Sequence, residues 1–294
     1  MKVAYLGMGN MGVRMAPNLK KAGFDVAVWA RPEGSSWKNV EMLMEQGLTG
    51  CKTIEDAVKD AKIAGMCVTN DQAVVDVATK ALAAMQPGAI LMDHSTISPH
   101  TANMLADLFE KKGCKFLDAP ISGGESGAEA GTLTLMIGGD KAAYDACAGY
   151  LDAVSKYAVY MGKSGSGSIT KLLNNQISGI NHVVVCEAVN MAKRAGIDLE
   201  SLYTVVNNSW GRSFAFERIV LERLKDDTYY PTYAPCEMIN KDMHHALELA
   251  DELGVKAEFA HMACEFFQRS VDEGHAKWDQ ASVILCMEAD SRGK

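Results

Sequence analysis

Across the first half of the chain, short runs of apolar and β-branched residues alternate with longer stretches whose apolar positions recur every three or four residues. That is the pattern of successive βαβ units on a parallel sheet. The short runs predict strands at Lys2–Leu6, Asp25–Trp29, Ile63–Val68, Ala89–Asp93, Lys115–Asp118, Leu133–Ile137 and Tyr157–Tyr160. Helices are expected between them near 11–22, 37–46, 71–84, 99–111 and 140–154. Asn70 and Ser98 stand where helix N-caps belong, and Pro99 follows Ser98 at the first helical position, where a missing N–H leaves no bond unmade.

The strand signals stop at Gly162-Lys163-Ser164-Gly165-Ser166-Gly167. Beyond this point Ile169, Leu172, Leu173, Ile177, Ile180, Val183, Val184 and Met191 follow one another at helical spacing, which predicts a single long helix over 166–194 ended by Gly196. Further helices are expected near 199–208, 214–224, 235–252, 257–272 and 279–290, with no β-rich segment among them. The pattern therefore divides the chain into an α/β domain over 1–164 with a mostly parallel sheet, and an all-α domain over 165–294 that opens with the long helix.

Composition narrows the function classes. A chain of 294 residues, 48% hydrophobic and 22% charged, is an ordinary globular protein able to bury a large core. Its net charge of -8 disfavours a nucleic-acid partner, which needs clustered Lys and Arg to replace phosphate counterions. No stretch approaches the roughly 18 uninterrupted apolar residues of a membrane span. The apolar run after Lys2 is cut short by Gly7, so it reads as a strand rather than a signal peptide. The eight cysteines show no C-x-x-C spacing and read as buried, reduced thiols of a cytoplasmic protein, with no metal site expected.

Directly after the first strand stands Gly7-Met8-Gly9-Asn10-Met11-Gly12, and a helical pattern and second strand follow. In that setting the glycines make a dinucleotide-binding turn: Gly7 for the tight bend, Gly9 for close approach of backbone to a pyrophosphate, Gly12 for close packing of helix on sheet. The domain is thus Rossmann-type. At the end of the second strand, where a carboxylate would bind the ribose hydroxyl of NAD, the sequence reads Trp29-Ala30-Arg31. Arg31, with Ser35 and Ser36 nearby, favours NADP(H), while NAD(H) stays open.

Four segments in order carry a family pattern: Gly7 through Leu19; Asp118-Ala119-Pro120-Ile121-Ser122-Gly123-Gly124; Gly165-Ser166-Gly167-Ser168-Ile169-Thr170-Lys171-Leu172-Leu173-Asn174-Asn175; and Lys241-Asp242. Together they resemble the β-hydroxyacid dehydrogenase family of 3-hydroxyisobutyrate dehydrogenases, glyoxylate/succinic semialdehyde reductases and tartronate semialdehyde reductases. The resemblance implies a nicotinamide-dependent enzyme acting on a small carboxylate substrate, a β-hydroxyacid or its semialdehyde. It implies further that Lys171 is the general acid or base and that Asn175, one helical turn on, binds substrate or orients the lysine. Ser122, Gly123 and Gly124 would grip the substrate carboxylate, and Thr96 would contact the nicotinamide ribose and the substrate. Lys241 would contact the cofactor, with Asp242 as its partner.

The resemblance also implies a homodimer or homotetramer, in keeping with a helical half rich in apolar residues. His94 and the pair His244-His245 are not needed as bases or ligands, since adjacent helical side chains diverge and the lysine supplies the proton. Where many family members carry Leu-Pro this chain has Val68-Thr69-Asn70, and where many have a phenylalanine before the lysine of the last motif it has Tyr233-Ala234-Pro235. With Ala234 in the aromatic position, a wider pocket is expected. Two other readings remain: an imine reductase, which shares this fold and turn but generally carries another residue in place of Lys171, and a non-catalytic dinucleotide-binding module. A turnover screen separates them.

Overall fold

A computed structural model describes residues 1–232 and 234–291. The chain forms two compact units, Met1–Lys171 and Leu172–Lys294. Tyr233, in the stretch expected to wall the pocket, and the last three residues of the second expected domain lie outside the described residues.

The first unit opens with β1 (Lys2–Leu6), α1 (Gly12–Lys21), β2 (Asp25–Trp29), α2 (Trp37–Glu45), β3 (Thr49–Cys51), α3 (Ile54–Val58), β4 (Ile63–Met66), α4 (Asp71–Ala84), β5 (Ile90–Asp93) and α5 (Pro99–Lys111). It continues with β6 (Lys115–Asp118), β7 (Ile121–Ser122), α6 (Gly124–Ala130), β8 (Leu133–Gly138), α7 (Lys141–Ala146), α8 (Ala148–Val154) and β9 (Ser155–Gly162), and then with the start of α9 (Ser166–Arg194). The strands lie in the order β3-β2-β1-β4-β5-β6-β8-β7, with β9 also paired to β8. All pairings from β3 to β6 are parallel, whereas β8 runs antiparallel to β6 and β7.

Burial explains why the central strands read as unbroken apolar runs, since helices cover both faces. Val3 and Tyr5 pack on one side with Met15 and Leu19 of α1 and Tyr150 of α8, while Ala4 and Leu6 pack on the other with Val74 of α4 and Leu105 of α5. The chain leaves β1 in one direction to β2 and β3, then returns to place β4 on the other side of β1. The carboxyl end of β1 is therefore the topological switch point, where ligands of open α/β sheets bind.

The predicted strands and first helices are present, with the caps of Asn70 on Ala73 N and Ser98 on Thr101 N in place. Four short elements were not expected: β3, α3, β7 and α6, of three, five, two and seven residues. Each is too short for periodicity to register. The helix expected over 140–154 is two helices joined at Cys147.

The second unit holds the rest of α9, then α10 (Leu199–Asn207), α11 (Phe214–Ile219), α12 (Cys236–Glu252), α13 (Glu258–Ser270) and α14 (Val283–Ser291). Its core joins Val185 and Val189 of α9 to Phe216, Ile239, Met243, Phe267 and Ile284. Gly196, at φ +69°, ends α9 as expected, and Ile197 N closes the turn on Ala192 O at 2.9 Å. The helices expected over 214–224 and 257–272 end instead in π-helical turns at Val220–Leu224 and Val271–His275. Among the described residues no helix is long and apolar enough to cross a membrane.

Candidate functional site

Sterics fix two of the three motif glycines. Gly7 has φ +95°, and a Cβ there would lie 2.3 Å from Cys67 O; at Gly12 it would lie 2.0 Å from Gly7 O. Gly9 is different, because a Cβ there would meet nothing within 4 Å. The fold itself does not require a glycine at that place, but a phosphate group brought against the backbone would. Val13 N and Arg14 N at the start of α1 turn back onto Gly9 O and Met11 O, and the first turn carries neither a side-chain cap nor an acidic residue, so no carboxylate offsets the positive end of the helix dipole there. These residues fit a dinucleotide pyrophosphate.

Two side chains brace this turn that the sequence reading did not single out. Asn39 of α2 donates to Met8 O at 2.7 Å, and Arg14 donates to Asn10 O at 2.6 Å while pairing with Glu125 of α6. Arg14 thus joins the turn of Gly7 to Gly12 to the segment that follows Ser122-Gly123-Gly124. Its place in the family segment Gly7 through Leu19 was the only available signal, and a helical arginine reads by default as a solvated one.

Ser122 ends β7, in register with Thr134 of β8. Gly123 and Gly124 follow with φ +133° and +63°, both exposed, in conformations that other residues rarely adopt. The turn leaves a hydroxyl and backbone amides accessible, a neutral donor set for a carboxylate. Arg31 is exposed just past the end of β2.

Thr96 is half-buried in the loop after β5. The residues before it are fully buried. His94 stacks between Tyr5 and Tyr150, with Nδ1 2.9 Å from Ala119 O and Nε2 3.1 Å from Tyr150 Oη. A carbonyl can only accept, so Nδ1 carries the proton and Nε2 receives the tyrosine hydroxyl. Burial lowers the His94 pKa to about 4, so the ring is neutral and structural. Val68 N, in the segment that departs from the family pattern, donates to Ser95 Oγ at 2.9 Å.

Asp93, beside it, accepts from Ser95 N at 3.0 Å through Oδ1, while buried Oδ2 has no hydrogen-bond partner. Burial is the main cause that raises its pKa to about 7, against the lowering effect of its bonds to Ser95. A carboxyl whose folded pKa lies above its unfolded one binds more protons when folded, so its contribution to stability falls as pH rises from about 4 to 7. Asp93→Asn removes this titration. Its stability relative to the wild type is expected to grow with pH between 5 and 8, by on the order of 2–4 kcal/mol. Denaturant melts at pH 5, 6.5 and 8 check this, and a difference that is constant with pH would contradict it.

Lys171 is only 9% exposed and Leu172 is fully buried. Asn175 follows one helical turn later. In the second unit, Asn175 Nδ2 donates to Asp242 Oδ2 at 2.6 Å and Oδ1 accepts from Asn174 at 3.0 Å, which fixes the amide's orientation. Lys241 Nζ lies 3.2 Å from Asp242 Oδ1, so a single buried carboxylate serves both residues. His244 contacts Asn240 O and Cys264, whereas His245 faces Glu248. Ala234 N donates to Thr232 Oγ1 at 3.0 Å. Among the described residues no group of side chains is arranged to hold a metal.

The sheet order and its glycine turn define a dinucleotide-binding protein of the open α/β class. Residues 2–162 match the NAD binding domain of 6-phosphogluconate dehydrogenase, and residues 165–287 match the NAD-binding domain of NADP-dependent 3-hydroxyisobutyrate dehydrogenase. The chain is 29% identical to a 2-(hydroxymethyl)glutarate dehydrogenase of Eubacterium barkeri over 98% of its own length and 95% of that protein's. It superposes on a 3-hydroxyisobutyrate dehydrogenase from Salmonella typhimurium with TM-score 0.88 and 27% identity, over 97% of this chain and 99% of that one. A Streptomyces aurantiacus imine reductase aligns at TM-score 0.66 and 20% identity, over 98% of this chain and 99% of that one, a likeness of fold alone. The chain belongs to the β-hydroxyacid dehydrogenase family.

Proposed function

We propose that the protein interconverts a small β-hydroxyacid and its semialdehyde with NADP(H), Lys171 moving the proton. The observation that carries this reading is a lysine 9% exposed on the same compact unit as the dinucleotide turn and the accessible Ser122-Gly123-Gly124 turn. An ammonium is seldom so buried without a task, and a lysine in such surroundings suits general acid and base work.

Gly7, Met8, Gly9, Asn10, Met11 and Gly12 hold the pyrophosphate, and Thr96 and Lys241 hold other parts of the dinucleotide. When bound, that group supplies or accepts the hydride. Ser122 and the amides of Gly123 and Gly124 bind the substrate carboxylate. In reduction Lys171 Nζ gives a proton to the carbonyl oxygen, and in oxidation the neutral amine takes it from the hydroxyl. Asn175, oriented by Asp242, orients the substrate or the lysine. An absorbance screen at the reduced-nicotinamide band tests the reading, with C2 to C6 hydroxyacids and semialdehydes beside matched alcohols that lack the carboxylate. Turnover is expected of the acids, and equal turnover of the matched alcohols would remove the role given to Ser122. An alanine rather than an aromatic residue at position 234 supports including branched and dicarboxylic acids.

Arg31 is exposed just past the end of β2, and Trp29-Ala30-Arg31 offers no carboxylate for a ribose hydroxyl, which supports NADP(H). Arg31→Asp is therefore expected to lower kcat/KM for NADP(H) at least about tenfold more than for NAD(H), the worth of a phosphate partner exchanged for a repelling charge. A wild type that already prefers NAD(H) by kcat/KM would rule this out.

We also propose a homodimer or homotetramer. Leu173, Ile177, Val184 and Met191 are 48%, 63%, 56% and 66% exposed along α9, a longer apolar stripe than a lone soluble helix ordinarily shows to water. Light scattering at micromolar concentration is expected to give a multiple of 31.7 kDa, and a monomer alone would contradict it. A cytoplasmic setting is proposed as well, in keeping with eight cysteines that are free thiols, seven of them buried and one half-buried.

A further inference from the structure

The proton-transfer role of Lys171 requires that α9 begin at one defined place, and a helix start flanked by Gly162, Gly165 and Gly167 has little intrinsic rigidity. What fixes it is Asp118. This residue is fully buried at the end of β6, and its two carboxylate oxygens each receive one amide of the α9 start: Gly165 N to Oδ1 at 2.9 Å and Ser168 N to Oδ2 at 2.8 Å. The carboxylate satisfies two donors that no helical carbonyl can reach, and it sets a negative charge against the positive helix end.

The packing leaves the helix no room to shift. A Cβ on Gly138 would lie 2.6 Å from Asp118 Oδ1 and 2.8 Å from Gly167 N, and a Cβ on Gly167 would lie 2.4 Å from Met136 O. Asp118 also begins the strap that carries the carboxylate-binding turn. Gly138 is its partner in register, Met136 N donates to Pro120 O at 3.1 Å, and Ser122 pairs with Thr134. Ser168 and Lys171 are three residues apart, hence on one helical face and about 4.5 Å apart along the axis.

We infer that Asp118 is a positioning residue for Lys171: through its bonds to Gly165 and Ser168 it holds the lysine in fixed register with the Ser122-Gly123-Gly124 turn. This rests on the proton-transfer reading of Lys171. Asp118→Asn keeps the shape but presents an amide N–H to one of the two donors, so one bond is lost.

The test combines kinetics with amide hydrogen exchange on the full chain. In Asp118→Asn the Gly165 and Ser168 amides are expected to exchange at least about tenfold faster, with reduced-dinucleotide binding, read by fluorescence titration, unchanged. The kcat is expected to fall about 10- to 100-fold with KM moving less than about threefold, because an interaction made in the transition state is weakened. In a Lys171→Met background the same substitution is expected to cost less than about twofold, since the residue it positions is gone. Gly138→Ala, which intrudes on the carboxylate and leaves Asp118 intact, is read in the same way should Asp118→Asn not fold. Wild-type kcat in Asp118→Asn, or an equal loss in both backgrounds, overturns the inference while the Lys171 reading stands. A Lys171→Met enzyme with undiminished turnover sinks that reading and the inference with it.

Discussion

Lys171→Met is expected to lower kcat by about 10²–10⁴-fold, the usual worth of a positioned general acid or base, while the fold and dinucleotide binding survive. Methionine keeps the length and most of the apolar stem, so a side chain only 9% exposed in the native protein is replaced without a cavity. What disappears is the group that exchanges a proton with the substrate oxygen. That exchange belongs to the transition state, so the loss should fall on kcat rather than on the binding of either substrate. Asn175→Ala should cost less, because the asparagine acts through orientation, and the double variant should lose less than the product of the two single losses. Steady-state kinetics with a fluorescence titration of the reduced dinucleotide checks all three. A folded Lys171→Met enzyme that keeps more than about a tenth of wild-type kcat would contradict the assignment.

The second large effect separates the glycines of the dinucleotide turn. Gly9→Ala should leave the melting temperature nearly unchanged, because its Cβ would meet nothing within 4 Å, yet weaken dinucleotide binding about 10²-fold or more by occupying the place where the pyrophosphate approaches. Gly12→Ala should do both, since its Cβ would lie 2.0 Å from Gly7 O and the turn must open to admit it. Thermal melts beside dinucleotide titration make the comparison. Equal destabilisation by the two substitutions, or undiminished binding in Gly9→Ala, would remove the pyrophosphate from this turn.

Much of this architecture was legible in the chain because the two periodicities differ. Runs such as Val3 to Leu6 can only be strands when glycine stops them after a few residues, and the stripe from Ile169 to Met191 can only be a long helix. β3 and β7 escaped because Thr49–Cys51 and Ile121–Ser122 are too short to show a period and gain their pairing from neighbours. The break at Cys147 escaped because the apolar spacing continues across it.

The candidate site divides in the same way. The glycine turn is local and its sequence setting suffices, whereas Lys171 stood out only through the family pattern, since a lysine on a helix is otherwise a solvated one. Arg14, Asn39 and Asp118 were not assigned, because their roles lie in contacts across the chain: Asn39 reaches Met8 over 31 residues, and Asp118 reaches Gly165 over 47. Sequence spacing does not carry such contacts.

The central claim is that hydride passes directly between a carbinol carbon of a carboxylate substrate and the nicotinamide while Lys171 handles the proton. The most direct measurement uses a β-hydroxyacid deuterated at the carbinol carbon, incubated with the protein and oxidised dinucleotide in ordinary water, with the dinucleotide then examined by mass spectrometry and NMR. The account predicts one deuterium at C4 of the reduced nicotinamide, on a single face, in the wild type, and the same label formed far more slowly in Lys171→Met. Reduced dinucleotide carrying hydrogen from solvent, or no reduction with any hydroxyacid of the C2 to C6 panel, would contradict it.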